Sequence, residues 1–175
     1  MPRIFLSLAV ANGTLLLITY GMGLFVPSGA GGTVHDLHFL VGLLAMLACL
    51  MVHGIVYTYL IGTNKWVKEV VRVYALPDWM EVQSKRNKRR AFPFILWGMM
   101  AIGATVWLGG AADTIRGFGG FWHSLMASFT IGFSAVAFVL EYASIVAQAR
   151  LLDEVKEVAD RARLERVEEA EGVSS

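Results

Sequence analysis

The sequence predicts an all-α, polytopic membrane protein that folds as an up-down bundle of four transmembrane helices. The chain of 175 residues is 56% hydrophobic, and its mean hydropathy is +0.57. Both values are high for a soluble domain. Four apolar runs are each long enough to cross a bilayer. They cover residues 4–26, 36–61, 92–112 and 121–148. We therefore expect residues 1–148 to form the bundle.

The first apolar run, 4–26, has the alternative interpretation of a cleaved signal peptide. Its apolar stretch is much longer than the core of a typical signal peptide, and Arg3 is the only charged residue before it. We expect it to be a transmembrane helix that remains in the mature protein.

The connections between the runs differ sharply in charge. Residues 62–91 carry eight Lys or Arg side chains against three acids, 27–34 carry no charge, and 113–120 carry only Asp113 and Arg116. Positively charged loops stay in the cytoplasm. We therefore expect a multi-pass protein of a bacterial-type inner membrane, with the basic connection and both termini in the cytoplasm.

The basic connection 62–91 has its own helical pattern. Its apolar residues recur at helical spacing between charged ones: Trp66, Val67, Val70, Val71 and Tyr74. Pro77 then interrupts the pattern. This predicts a cytoplasmic amphipathic helix in the headgroup plane. The cationic cluster after it, 83–90, is expected to contact anionic lipid headgroups rather than nucleic acid.

The last segment, 149–175, continues the helical pattern beyond the fourth run. Leu151, Val155, Val158 and Ala162 are spaced four, three and four, among charges of both signs. We expect a charged helical arm in the cytoplasm. Its apolar seam can pack on the loop helix, on a partner protein, or on a second copy of the chain.

Three of the four histidines lie near the outer ends of the second and fourth runs. His38 is ten residues outward of Ala48, roughly 15 Å at helical rise, and His123 is eleven residues outward of Ser134, roughly 16 Å. The two imidazoles are therefore expected at one level, with His35 one turn further out.

One interpretation of this level is a b-type haem. Its axial ligands would be His123 and either His38 or His35, because neutral imidazole binds iron and helical bundles hold cofactors between facing helices. Arg116 and Trp122 are placed to meet its propionates. A flat macrocycle needs small residues inward of its ligands. Such residues follow both histidines: Gly42, Ala45 and Cys49, and Ala127, Thr130, Ser134 and Ala137.

Two other interpretations remain open at this level. His35, His38 and His123 can form a three-nitrogen copper or zinc site, with Asp113 as a further ligand. Alternatively, the histidines hold no cofactor and only bond water or headgroups at the helix ends.

An inner polar pair is expected from His53 and Glu141, which lie at similar depth on the second and fourth runs. Eighteen residues, or five helical turns, separate His35 from His53 and His123 from Glu141. A buried carboxylate must be neutral, paired or hydrogen-bonded. With Tyr57 one turn away, the pair can serve as a proton relay, a quinone site, or a structural hydrogen bond.

With His38 and His123 facing each other on helices two and four, the chain resembles the small four-helix membrane-integral b-type cytochromes and the haem-bearing anchor subunits of respiratory enzymes. The resemblance covers the four spans in architecture. It implies electron transfer between quinone and a redox partner. A second haem would need a methionine such as Met99 or Met100 as partner to His53, so we expect at most one haem.

The same chain has two alternative roles, as a non-catalytic accessory or assembly subunit of a membrane complex and as a copper- or zinc-binding membrane protein. Sequence patterns for a phosphate loop, a zinc-protease helix and a nucleophile elbow are missing. We therefore expect an electron carrier or a subunit of an oxidoreductase complex rather than a stand-alone enzyme.

Overall fold

A computed structural model describes residues 1–26, 32–115 and 117–173 of the chain. These residues form four helices: α1 (Pro2–Gly23), α2 (Thr33–Tyr74), α3 (Trp79–Thr114) and α4 (Phe121–Val173). Each helix contains a stretch long and apolar enough to cross a membrane. The all-helical fold class and the four candidate membrane spans are therefore confirmed.

The helices α2, α3 and α4 are longer than the predicted spans. α2 runs without a break through the segment 65–74, so this segment is not the separate helix that its pattern predicted. Its apolar face explains why: Val67 and Val71 are buried against Leu151 and Val155 of α4. Because that face packs on protein, α2 extends straight until Ala75, which adopts a left-handed conformation with φ 52°.

The extensions of α2, α3 and α4 form a second packed region, which we call the stalk (residues 62–91 and 149–169). Its core is apolar and joins all three helices: Val67, Val71, Leu76, Met80, Leu151, Val155 and Ala159. Near its tip, Arg166 donates a hydrogen bond to the Val73 carbonyl at 3.1 Å and lies over the Tyr74 ring. The apolar seam of the C-terminal arm therefore packs on the segment 65–74 of α2 in the same chain.

The four helices pack around a common axis. α2 and α4 contact each other and also contact both α1 and α3. α1 and α3 lie diagonally opposite, with no close backbone approach among the described residues. The end of the bundle that holds His35, His38 and His123 is called the histidine end. There the His35 imidazole lies 3.1 Å from the Asp113 carboxylate, so the start of α2 meets the end of α3.

The surface of the bundle is apolar on the faces that point away from the helix contacts. Large side chains on all four helices are more than half exposed, for example Leu17, Leu47, Trp107 and Val139. Several polar side chains lie inside the bundle instead, among them Asn12, Thr130 and Ser134. An apolar exterior with backbone groups satisfied within helices is what a lipid environment requires.

Candidate functional site

The histidine end contains a cavity of about 750 Å³ between all four helices. Its volume lies within the usual range of cofactor and ligand pockets. His38 and His123 both line it, together with small residues from each helix that leave the space open. These residues are Gly23 from α1, Gly42 and Ala45 from α2, Thr105 and Gly109 from α3, and Ala127 and Thr130 from α4.

The structure brings His38 and His123 together across this cavity. Their ring centroids are 6.2 Å apart, and the ring planes make an angle of 79°. The Nδ1 atom of His123 lies 3.0 Å from the Thr105 carbonyl oxygen. Since a carbonyl can only accept, Nδ1 carries the proton and donates it. This leaves Nε2 of His123 with a lone pair for a metal.

The separation of the two rings can be compared with what one metal ion between them requires. A metal–imidazole bond is about 2.0–2.1 Å long. A ring centre lies roughly 1.1 Å behind its nitrogen, so two trans ligands on one ion place the ring centres roughly 6.3 Å apart. The observed 6.2 Å matches this distance. The separation of the ring centres therefore equals the length that two imidazoles bound to one ion would span.

Both imidazoles lie against a glycine of a neighbouring helix. A Cβ atom added at Gly23 of α1 would lie 3.0 Å from Cε1 of His38. A Cβ atom added at Gly109 of α3 would lie 3.0 Å from Cε1 of His123 and 3.1 Å from its Nδ1. These glycines allow both rings to pack closely without filling the cavity.

His35 is placed differently from the other two histidines of this end. Its Nε2 lies 3.1 Å from the Asp113 carboxylate, and its Nδ1 lies 3.4 Å from Asp36. His35 precedes the span 36–61, and its hydrogen bonds with Asp113 and Asp36 raise its pKa above the usual value. Within the described ranges, no three metal-ligating side chains come together. The arrangement favours His38 over His35 as the partner of His123 and gives no support to a three-nitrogen site.

Of the two residues predicted to meet propionates, the structure describes only Trp122, which does not line the cavity. Arg116 lies outside the described residues. Trp122 is half exposed and packs against Phe121, with ring centroids 5.4 Å apart. Neither side chain can therefore be assigned to the cavity.

The inner pair is a closed hydrogen-bonded contact. His53 Nδ1 lies 2.7 Å from Glu141 Oε1, and both side chains are completely buried. The His53 ring packs on Phe138 at 5.4 Å, and a Cβ added at Gly98 would collide with its Nε2 edge, 2.8 Å from Cε1. The packing leaves no room at this nitrogen for a quinone or a second haem. Tyr57 is 40% exposed and does not join the pair.

Sequence reasoning missed three glycines and a buried polar network. Each of Gly23, Gly98 and Gly109 backs one imidazole, and a lone glycine in an apolar helix gives only a weak signal of such a contact. The network joins α2, α3 and α4 where the stalk begins. Its hydrogen bonds connect five side chains: Thr63, Asn64, Ser84, Asn87 and Gln148. Gln148 lies seven residues after Glu141, a spacing that could have indicated a shared inner face.

No protein-family model matches the chain, and the searches of curated proteins and of solved structures find no match. The geometry of the histidine-end cavity is therefore the basis for a functional assignment.

Proposed function

We propose that this protein is a membrane-integral b-type cytochrome that transfers electrons. Haem b would lie in the histidine-end cavity with His38 and His123 as its axial ligands. The observation that carries the proposal is the 6.2 Å separation of the two rings across a cavity of about 750 Å³. The haem supplies one-electron chemistry when bound. Two protein ligands leave the iron without an open position, which favours electron transfer over oxygen chemistry.

The residues around the cavity support this role by fixing the ligands. The Thr105 carbonyl accepts the Nδ1 proton of His123 and so sets the tautomer that leaves Nε2 free for iron. His38 is partly buried, and the lack of a Cβ at Gly23 and Gly109 lets both rings pack closely against the neighbouring helices. The lining around the rings is mainly apolar, with a few hydroxyl groups such as those of Thr105 and Thr130.

We further propose that the bundle crosses a bacterial-type inner membrane in an up-down arrangement. The stalk and both termini would be cytoplasmic, and the cavity would lie near the outer face. The basic residues at the start of α3 support this orientation through the positive-inside rule. Lys85, Arg86, Arg89 and Arg90 are exposed on the stalk and can contact anionic headgroups. Quinone exchange remains a further proposal, with its site away from the closed His53–Glu141 pair.

The optical spectrum of the purified protein tests the assignment. We expect b-type bands in the reduced-minus-oxidised spectrum, and one haem per chain by extraction, because His38 and His123 are the one pair of histidine rings that meet among the described residues. A colourless protein made in cells with ample haem would contradict the proposal. If such a protein co-purified with a larger complex only while residues 151–171 were present, it would instead be an accessory subunit. Copper or zinc without haem would indicate a metal-binding protein.

The glycine behind His123 gives a sharper test. Gly109→Ala places a methyl group 3.0 Å from the His123 ring, which must shift by a few tenths of an ångström. We therefore expect haem retention to fall by up to about tenfold, as for other groups that orient a metal ligand. Gly103→Ala on the same helix is the control, because a Cβ there meets no atom within 4 Å. Equal haem retention in the two variants would show that the position of the His123 ring does not matter.

A further inference from the structure

The bundle interior contains polar atoms that the fold leaves without partners. Among the described residues, five buried side-chain atoms lack a hydrogen bond: Asn12 Oδ1, His38 Nδ1, His53 Nε2, Ser134 Oγ and Glu141 Oε2. Unpaired polar atoms are costly in the interior of a membrane protein. They are expected where internal water or an exchangeable proton has a role.

Two of these atoms, Ser134 Oγ and Glu141 Oε2, belong to one stripe of buried polar residues along α4. Thr130, Ser134, Glu141, Ser144 and Gln148 are spaced four, seven, three and four residues apart, so they share one helix face. Each of them is at most 2% exposed. We call this stripe the polar file. It runs from the histidine-end cavity, where Thr130 lies, to the beginning of the stalk.

The stalk end of the polar file is hydrogen-bonded towards the surface. Gln148 donates to Ser84 at 3.0 Å and to Thr63 at 3.2 Å, and it accepts from Asn87 at 3.1 Å. Asn87 in turn accepts from Gln83 at 3.4 Å, and Gln83 is only partly buried. A continuous set of polar groups therefore leads from the stalk surface to Gln148, two turns from Glu141. Between them the Ser144 hydroxyl donates to the Leu140 carbonyl at 2.9 Å, so internal water would complete the path to Glu141.

We propose that the His53–Glu141 pair is a proton-loading site that is filled from the stalk side along the polar file and takes up one proton when the haem proposed above is reduced. The coupling to haem reduction rests on the proposed function, whereas the protonation of the His53–Glu141 pair does not. The proton comes from water at the stalk and forms an O–H bond at Glu141 Oε2. The electron comes from a one-electron redox partner and reduces iron(III) to iron(II).

The charges of the two sites explain why they would be coupled. With one proton in the 2.7 Å hydrogen bond between His53 and Glu141, the pair carries one negative charge. With a second proton on Oε2, it is neutral. The centre of an oxidised haem carries one positive charge, which reduction removes. The two sites together are therefore neutral in either redox state when the proton count matches. They lie roughly 22 Å apart along α2, so their direct electrostatic interaction is weak.

Apart from His53 itself, no side chain that can carry a positive charge lies next to Glu141 among the described residues. Phe5 of α1 and Ile95 and Gly98 of α3 are not titratable. On α2 itself, the other titratable side chains near the pair are Cys49 and Tyr57, each one turn from His53, and Tyr59, which packs against the same core. On α4, Tyr142 follows Glu141 and stacks on Phe5. All four are neutral groups at ordinary pH. The described part of this core contains no Lys or Arg, so proton uptake is the available route to neutralise Glu141.

Infrared spectroscopy of the protein in lipid vesicles tests the loading site without any haem. We expect a protonated-carboxyl band that grows as the pH falls, is absent in Glu141→Gln, and persists in Glu157→Gln, a matched change on the exposed arm. Exchange of this proton in heavy water should be at least tenfold slower in Ser144→Ala than in Ser7→Ala. If the wild type has no band that depends on Glu141, the proposal is wrong. Equal exchange rates would overturn the path along the polar file.

Redox titration then tests the coupling. We expect the midpoint potential of the haem to fall with rising pH in the wild type and in Glu157→Gln, and to fall less steeply in Glu141→Gln, where only groups at the cavity such as His35 and Asp113 still titrate near the haem. A haem whose potential ignores pH in the wild type would overturn the coupling while leaving the cytochrome assignment intact. A protein without haem would instead overturn the proposed function, and the infrared titration would still decide whether the pair loads a proton.

Discussion

Substituting alanine for His123 is expected to abolish the b-type bands of the purified protein, and His38→Ala is expected to do the same. Under the proposed function each change removes one of two iron ligands, and the other imidazole that lines the cavity, His35, is engaged by Asp113 and Asp36. Losing a group that only supports a ligand already costs about 10–100-fold in metal affinity. Losing the ligand should therefore exceed that range.

The control for this prediction is His35→Ala. His35 lies at the same end of the bundle, one turn from His38, but its ring nitrogens face Asp113 and Asp36. We expect the bands to persist in this variant. Added imidazole should restore them in His38→Ala, because the vacated space fits one ring, and circular dichroism should confirm that the helices remain. Bands that survive in His123→Ala, or disappear in His35→Ala, would assign the ligands differently.

The helical fold could be predicted because lipid-spanning segments must be long and apolar, and hydropathy reports both properties. The stalk could not be predicted fully for a related reason. The segment 65–74 has one apolar face, and such a face fits a headgroup plane and a protein core equally well. Only the presence of Leu151 and Val155 opposite Val67 decides between them, and that contact joins segments about eighty residues apart.

At the candidate site, residue spacing could predict the depth of the histidines, but the choice between His35 and His38 depends on contacts with other helices. Counting residues from the span centres placed His38 and His123 at equal depth, and the two rings do meet. Counting could not separate His38 from His35, which lie one turn apart on similar faces. Asp113 separates them, because it comes from another helix and pairs with His35. The interaction between His53 and Glu141 followed from the cost of an isolated buried charge.

The largest stability effect is expected at Gly98, where alanine should destabilise the bundle by about 1–3 kcal/mol, the usual cost of overpacking a core. The added methyl group would overlap the His53 ring. This ring cannot move aside easily, because Nδ1 is bound to Glu141 at 2.7 Å and Phe138 packs against it. Helices α2 and α3 would have to separate instead. Unfolding in detergent, followed by circular dichroism, measures the difference, and Gly103→Ala is the matched control on the same helix.

A double-mutant cycle separates the two reasons why Gly98 could matter. If the imidazole alone requires the glycine, Gly98→Ala should cost little in a His53→Ala background, because the obstructed ring is gone and the two effects are not additive. If the costs add, the backbones of α2 and α3 need the glycine to approach each other, as small residues allow at membrane helix contacts. We expect non-additivity, because the atoms nearest to an added Cβ all belong to the His53 ring. Additive costs would therefore contradict the assignment of Gly98 to the inner pair.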